Sequence, residues 1–357
     1  MVRVLTIDGG GILGIIPALV LASLETKAQR YASNPELRIV DCFDFFAGTS
    51  TGGIITALLL APDEHNPQRP RYSTSDIVDF YTEKGPYIFK SSWLRRFLGS
   101  AGLASDRYEV DELERLLELH LGDVRMSQLL KPCLIPAYNL ELAATYFFCR
   151  HDHENAVEPA RDFLVRDVCR ATSAAPSYFK PATFLSASNV QHACVDGGVF
   201  ANNPTLCAIA EVGKTAEHYT PVNMKLLSLG TGKVRHTFRL RSFQKRIALL
   251  NIPDLINIMM GGVAETTHYI VKNTFRNLGV KDNYLRLEPI LPDAQTGAMD
   301  NATPENIQRL RAMTEQFIDH HNDELDDWAK QLVEMQTKEH EKPALRFGKG
   351  PALDDLV

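Results

Sequence analysis

An excess of positive charge, which most nucleic-acid-binding proteins carry, is absent from this sequence. The chain of 357 residues has 38 Lys and Arg residues against 44 Asp and Glu residues, which gives a formal net charge of -6. A nucleic-acid partner is therefore not expected. A negative total still permits a local basic surface that faces a membrane, so contact with lipid remains open.

Paired cysteine motifs and a secretory leader are also missing. None of the six cysteines forms a C-x-x-C pair, and most lie in apolar runs such as KPCLIPAY, which predicts buried, reduced thiols. The N-terminus lacks a signal peptide, and no apolar run approaches the roughly 20 residues that cross a bilayer. We expect a cytoplasmic protein that is peripheral at membranes when active, although export without a leader would leave the same sequence.

Strand-like and helical patterns alternate along the chain. Apolar runs indicate strands at residues 2–7, 42–47, 133–138, 145–149, 192–195 and 225–229. Helical patterns lie between them, as at residues 15–30 and 54–60. Because this alternation is typical of mostly parallel sheets covered on both faces, we expect an α/β fold.

The domain organisation is predicted to be simple. The sequence contains no internal repeat, no low-complexity block and no convincing linker. From residue 301 to residue 340 the pattern is helical and charged, and a polar tail follows at residues 341–357. We expect one catalytic domain at residues 1–300 with a helical C-terminal extension.

Gly48-Thr49-Ser50-Thr51-Gly52 is a G-x-S-x-G motif between an apolar strand pattern and an apolar helix pattern. In this context the motif places a serine on a tight strand-to-helix turn that exposes its Oγ atom. The helix N-terminus that follows favours developing negative charge, so we interpret Ser50 as a nucleophile. The alternative is a glycine-softened loop in which Ser50 caps the helix.

A run of three glycines, Gly9, Gly10 and Gly11, follows the first predicted strand after Asp8. Glycine exposes its backbone N–H to an approaching anion because no Cβ shields it. Beside a nucleophilic serine, such donors could form an oxyanion hole. A nucleotide phosphate loop is an alternative, but the spacing is not G-x-G-x-x-G and no Gly-Lys-Ser/Thr follows. The second alternative is a tight turn without a further role.

The usual base for a serine nucleophile is histidine. None of the 11 histidines lies in a setting that indicates this role. His151-Asp152-His153 looks like a metal-binding pair, but it lies in a polar stretch without a third ligand nearby. No metal site is therefore expected.

Asp196 offers a carboxylate in a different setting. It ends the apolar run HACV and precedes Gly197 and Gly198, at a predicted strand end. Strand ends are where open α/β sheets keep their sites. Asp196 could accept the Ser50 proton if desolvation raised its basicity. A turn-forming aspartate is the alternative interpretation.

DGGGILG, GTSTGG and DGGVFANNP, in this order, resemble the motifs of the patatin-like phospholipase family. The segments GIIPA, FYTEKGPYIF, CRATSAAPSYF and LSLGTG extend the resemblance over roughly residues 1–290. It implies a three-layer α/β/α fold, a Ser50–Asp196 dyad without histidine, and oxyanion donors at Gly9 to Gly11. It also implies calcium-independent release of fatty acids from phospholipids or galactolipids, without a cofactor.

One position departs from the resemblance. Many relatives carry Arg or Lys where this sequence has Leu13, and a cation there could hold a lipid phosphate. Either another basic residue compensates, or the substrate has a less anionic head group. Three other functions stay open: a serine esterase or peptidase for a small soluble substrate, a storage or lipid-binding protein, and an effector that degrades membranes when a signal activates it. A homo-oligomer and an unknown activator are left open as well.

Two segments combine apolar or aromatic residues with bases, as interfacial anchors do. The first covers residues 87–97 and the second covers residues 236–260. An ordinary amphipathic element packed on the core is the alternative for each. Membrane lipid, contacted peripherally, is the expected partner.

Overall fold

The computed structural model describes residues 1–88, 111–154, 161–215, 218–234 and 252–338, with Leu345 and Phe347. The strands are β1 (Val2–Ile7), β2 (Phe45–Gly48), β3 (Cys133–Asn139), β4 (Ala144–Cys149), β5 (Ala182–Leu185), β6 (Gln191–Asp196), β7 (Met224–Leu229), β8 (Lys233–Val234), β9 (Tyr284–Leu287) and β10 (Ile290–Leu291). The α-helices are α1 (Ile15–Ala32), α2 (Ile39–Cys42), α3 (Thr51–Leu60), α4 (Thr74–Asp79), α5 (Gly85–Ile88), α6 (Asp111–Leu121), α7 (Val165–Thr172), α8 (Gly198–Ala201), α9 (Thr205–Gly213), α10 (Ile252–Asn277), α11 (Pro304–His320) and α12 (Asn322–Lys338).

Eight of these strands form the central sheet. Its order is β5-β6-β3-β2-β1-β7-β9, and β4 pairs with β3 as an additional strand. Strands β9, β7, β1, β2 and β3 run parallel to one another, whereas β4 and β6 run antiparallel to β3. The predicted mostly parallel sheet is confirmed.

The side chains of β1 show why the sheet is covered on both faces. Leu5 and Ile7 lie in the larger apolar core, which includes residues of α1 and α3. Val2 and Val4 point to the opposite face and lie in a second apolar cluster with residues of α9 and α10. Successive strand residues alternate between faces, so a strand that is buried along its whole length needs helices on both sides. The three-layer α/β/α arrangement is confirmed.

Two strands that carry predicted site residues meet end to end along β3. Leu134 pairs with Ala47 of β2 on one side and with Cys149 of β4 on the other. Three residues further on, Ala137 still pairs with β4 but now has Asp196 of β6 on its other side. Because β6 runs antiparallel to β3, the carboxyl ends of β2 and β6 face each other across a short gap.

The predicted strand at residues 42–47 is wrong in its first half. Ile39–Cys42 is a helical turn, and β2 begins only at Phe45. The turn is stabilised at its start, because the Arg38 amide donates to Asp41 at 2.9 Å and the Ile39 amide donates to the buried Glu25 at 2.8 Å. These carboxylates satisfy amides at the start of the turn that have no partner within the turn.

One helical stretch contradicts the expectation of no long apolar run. Residues Gly11–Ala32 are long and apolar enough to cross a membrane by length and composition. However, 67% of the most apolar window is buried inside the fold, where α1 packs against α11 and α12. The burial accounts for the apolar composition, because a helix covered on several sides needs no polar face.

Candidate active site

Ser50 occupies the sharp turn between β2 and α3 that the motif predicts. Its backbone has φ 53° and ψ -121°, a strained conformation for a non-glycine residue. The turn is closely packed: a Cβ at Gly52 would lie 2.2 Å from the Ile7 carbonyl oxygen, and one at Gly48 would lie 2.1 Å from the Gly52 carbonyl oxygen. The glycines on either side of Ser50 are therefore required by sterics.

Thr172, which the sequence analysis did not single out, holds this turn in place. Its Oγ1 accepts a hydrogen bond from the Ser50 amide at 2.9 Å and donates one to the Pro136 carbonyl at 2.6 Å. Thr49 adds a second tie, because its Oγ1 donates to the Ala201 carbonyl at 2.6 Å. The segment CRATSAAPSYF contains Thr172, but nothing in its sequence shows which residue it contacts.

Asp196 is the last residue of β6 and is buried beside Ser50. Its Oδ1 accepts a hydrogen bond from the Gly198 amide at 2.6 Å, whereas Oδ2 has no partner of normal bond length in the described part of the chain. Burial raises the pKa of Asp196 to about 7, although the Gly198 amide and the nearby Ser50 hydroxyl both lower it. Gly197 packs against Pro136, where a Cβ would lie 2.3 Å from the carbonyl oxygen.

The glycine run lies directly against the serine. A Cβ at Gly9 would lie 3.3 Å from the Ser50 Cβ. The Gly9 amide, however, donates to the Asn202 carbonyl at 3.0 Å, so it is already occupied. Within the described residues the amides of Gly10 and Gly11 donate no hydrogen bond. The role of Gly9, Gly10 and Gly11 as oxyanion donors stays a prediction.

A buried ion pair anchors the start of the glycine run, and sequence reasoning missed it. Arg286 of β9 donates to Asp8 Oδ2 at 2.7 Å, to Glu288 at 2.9 Å and to the Ser228 hydroxyl at 2.9 Å. Burial raises the pKa of Asp8 to about 6, while the Arg286 guanidinium opposes that rise. The only sequence signal was a charged residue inside the short apolar run YLRL.

A cavity that is partly open to solvent contains both predicted residues of the dyad. Apart from Ser50 and Asp196, its lining is mostly apolar and aromatic. These other lining residues are Gly11, Thr51, Ile54, Phe80, Tyr81, Ile88, Leu113, Ser173, Ala175, Tyr178, Phe179, Met260 and Met299. No histidine, lysine or arginine occurs among the described residues that line it. The cavity therefore suits an apolar chain that ends in a group reaching Ser50.

Leu13 is buried in the main core, away from solvent. Its side chain therefore contributes an apolar core contact. It offers no donor to a phosphate group.

The structure places Cys149 near His151 and Asp152, as a third potential metal ligand that the sequence did not suggest. Side chains of Cys149, His151 and Asp152 place potential ligand atoms within 4.8 Å of one another. His151 already bonds to Glu211 at 2.9 Å, and Asp152 pairs with Arg161 at 3.0 Å. The side chain of His153 lies outside the described residues. His151 and Asp152 therefore each already contact another side chain.

The structure is that of an α/β protein with a G-x-S-x-G motif on a sharp strand-to-helix turn, and comparison with known proteins identifies its family. A sequence profile described as patatin-like phospholipase matches residues 5–209. Patatin-like protein 1 of Arabidopsis thaliana is 32% identical over 344 residues, covering 89% of this chain and 81% of that protein. Patatin-04/09 of Solanum tuberosum is 31% identical over 335 residues, covering 89% and 84%. The chain belongs to the patatin-like phospholipase family.

Family membership supports a lipid acyl hydrolase activity in general. Among solved structures, a crystal structure of VipD from Legionella pneumophila covers 90% of this chain and 67% of that chain, with a TM-score of 0.37 and 12% identity. A likeness of this degree carries no argument about function.

Proposed function

We propose that this protein is a serine lipid acyl hydrolase that uses Ser50 as nucleophile and Asp196 as general base. The observation that carries the proposal is that Ser50 and Asp196 are both buried and both line one largely apolar cavity. A carboxyl whose pKa is about 7 is half ionised near neutral pH and basic enough to accept a proton there. Histidine is then not needed as an intermediary.

The acylation step follows from this arrangement. Asp196 accepts the hydroxyl proton of Ser50 while Oγ bonds to the carbonyl carbon of the ester. The carbonyl oxygen becomes an oxyanion, which the amides of Gly10 and Gly11 would stabilise. When the intermediate collapses, its bond to the alcohol oxygen breaks, and the Asp196 proton passes to the leaving alkoxide. The products are an acyl-enzyme and a lyso-lipid.

Water completes the cycle by the same route. Asp196 deprotonates a water molecule, whose oxygen bonds to the acyl carbon, and the bond to Ser50 Oγ then breaks. The proton held by Asp196 returns to Oγ, and a fatty acid is released. Each step uses only residues of this chain, so we expect the reaction to proceed in calcium-free buffer.

The proposed substrate is a membrane lipid with a fatty acyl ester, either a phospholipid or a galactolipid. The apolar cavity lining favours a long acyl chain over a small soluble ester. Leu13 is buried in the core and supplies no phosphate contact. A galactolipid, whose head group is uncharged, therefore fits the described site at least as well as a phospholipid.

The test is fatty-acid release from mixed phospholipid and galactolipid vesicles in chelator-treated buffer. Wild type is compared with Ser50→Ala and Asp196→Asn, and the lyso-products identify the head group. We expect release by wild type only. An Asp196→Asn protein with full activity would refute the dyad, because an amide accepts no proton at neutral pH.

Two other results would favour different functions. Hydrolysis of monomeric short-chain esters without any attack on vesicles would indicate a soluble-ester hydrolase. If no substrate is hydrolysed but a fluorophosphonate labels Ser50 covalently, the serine is reactive and the enzyme requires an activator. An unlabelled Ser50 would argue against the enzyme altogether.

A further inference from the structure

The backbone of Gly9 is held by partners on both of its sides. Its amide donates to the Asn202 carbonyl at 3.0 Å, and its carbonyl accepts a hydrogen bond from the Thr231 hydroxyl at 2.7 Å. Asn202 Nδ2 is a more distant donor to the same carbonyl, at 3.5 Å. Thr231 lies in the segment LSLGTG, just after β7, and is buried. Residues far away in the sequence therefore set the orientation of the glycine run.

The bond from Thr231 also fixes the direction of the next N–H. The Gly9 carbonyl and the Gly10 N–H belong to one peptide group, which is planar and trans. In a trans peptide the C=O and the N–H point in opposite directions. Because Thr231 holds the carbonyl, the Gly10 N–H points away from Thr231, and turning it would break the 2.7 Å bond.

Thr231 packs so closely on Gly10 that no side chain fits between them. A Cβ at Gly10 would lie 2.4 Å from the Thr231 Oγ1 atom and 2.6 Å from its Cβ atom. Glycine at this position therefore permits the close approach of Thr231. This requirement is separate from the exposure of the backbone to an anion.

The Gly10–Gly11 peptide is held in a similar way. The Gly10 carbonyl accepts a hydrogen bond from the Leu13 amide at 3.2 Å, so the Gly11 N–H points in the opposite direction. Gly11 lines the cavity, and a Cβ at Gly9 would lie 3.3 Å from the Ser50 Cβ. Gly10 lies between these two residues, and within the described part of the chain its N–H donates no hydrogen bond. An N–H of fixed direction is thus available close to the serine.

We propose that Thr231 is a positioning residue, which orients the Gly10 N–H toward the oxyanion that forms on the substrate carbonyl. The inference rests on the proposed function, because it takes Gly10 as an oxyanion donor. Thr231 is not among the described residues that line the cavity, so its hydroxyl acts on the substrate only through Gly10. The oxyanion exists only after Ser50 has attacked the ester. Loss of the hydroxyl should therefore lower kcat and leave KM almost unchanged.

The test compares Thr231→Val, which keeps the shape and removes the hydroxyl, with Thr231→Ser, which keeps the hydroxyl. We expect Thr231→Val to lower kcat about tenfold or more, toward the roughly 10²- to 10³-fold loss that removal of one oxyanion donor causes. Thr231→Ser should retain most of the wild-type kcat. If valine prevents folding, Thr231→Ala against Thr231→Ser gives the same comparison.

The substrate is a monomeric soluble ester, so that membrane contact does not enter the measurement. The two predicted membrane segments, residues 87–97 and 236–260, lie mostly outside the described residues. The matched control is Thr314→Val. Thr314 is also buried and donates to the Leu310 carbonyl at 2.7 Å, but its helix α11 contributes no residue to the described cavity lining. We expect this control to keep the wild-type kcat.

The pH dependence separates positioning from general damage to the site. Thr231→Val leaves Asp196 unchanged, so kcat/KM should fall at the same acidic pH as in wild type. Unchanged kcat in Thr231→Val overturns the inference. Equal losses in Thr231→Val and Thr231→Ser overturn it as well, because the hydroxyl is then not the cause. A loss confined to KM assigns Thr231 to substrate binding and also overturns it.

The rate at which a fluorophosphonate labels Ser50 distinguishes this inference from the proposed function. The phosphoryl oxygen of the probe gains negative charge as Ser50 attacks, so the same donors should stabilise it. If wild type hydrolyses no ester, but labelling is about tenfold slower in Thr231→Val and not in Thr231→Ser, the positioning role stands and the proposed reaction fails. Labelling at the same rate in wild type and Thr231→Val overturns the positioning role.

Discussion

Asp196 is buried, and as a general base it must still be able to lose its proton. Its pKa is set by the balance between these two requirements. Burial raises that pKa from the ordinary 3.8 to about 7, against the opposing effect of the Gly198 amide. Because a protonated carboxyl accepts no proton, we expect kcat/KM to fall as the pH drops below about 7. Initial rates on a soluble ester between about pH 5 and 9 would show this. An acidic limb near the ordinary aspartate value would mean that Asp196 is not the base.

The same burial should make the ionised carboxylate of Asp196 destabilise the folded state. A carboxyl whose pKa is raised on folding favours the folded state at low pH, and this contribution is lost as the pH rises from 3.8 through 7. Asparagine resembles the protonated form at every pH. We therefore expect Asp196→Asn to raise the free energy of unfolding, by a margin that grows with pH to at most roughly 4 kcal/mol near pH 8.

Urea denaturation of wild type and Asp196→Asn at two pH values measures this margin. Ser50→Ala is the control, because it removes the neighbouring hydroxyl and leaves the carboxyl in place. A margin that is the same at acidic and alkaline pH would show that the Asp196 carboxyl is not destabilised by burial.

At the scale of elements, Arg286 connects the last strand of the sheet to the loop after β1. Removing it in Arg286→Met would leave Asp8 buried without its main cation, which typically costs about 3–5 kcal/mol. Asp8 already has a raised pKa of about 6, and without Arg286 that pKa would rise further. The contribution of Asp8 to folding stability is lost as the pH rises through the pKa of Asp8. The Arg286→Met variant should therefore be less stable at pH 8 than at pH 5.

Thermal unfolding at both pH values, with the Asp8→Asn/Arg286→Met double variant as control, tests this link. The double variant removes the uncompensated charge and should recover part of the lost stability. Equal losses at the two pH values would show that the charge of Asp8 is not responsible.

Several elements and part of the site could be predicted from sequence because their signals are local. β1 and α1 have long apolar patterns, and the elbow motif lies between two further apolar patterns. β9 was not predicted because Arg286 interrupts its short apolar run. The Arg286 side chain faces inward because it bonds to Asp8, which is far away in the sequence. The end-to-end approach of β2 and β6 depends on the reversed direction of β6, which no local pattern encodes.

At the scale of the whole molecule, the C-terminal helices pack as part of the main layer next to α1. In α12, the side chains of Leu325, Trp328, Ala329 and Leu332 are buried in the same core as α1 and α3. Arg30 and Tyr31 of α1 also contact Asp326, at the exposed margin of this contact. The predicted boundary at residue 300 therefore separates sequence patterns, while the apolar core continues across it.

This continuity predicts a single unfolding transition. Trp328→Ala should lower the free energy of unfolding by about 3–5 kcal/mol and shift the whole transition, because a large buried side chain leaves a cavity in a shared core. Asp326→Ala, on the exposed margin of the same helix, should change it far less, since exposed ion pairs contribute little. Circular dichroism and intrinsic fluorescence should report the same midpoint in urea. An early transition limited to α11 and α12 would show instead that residues 301–340 unfold as an independent extension.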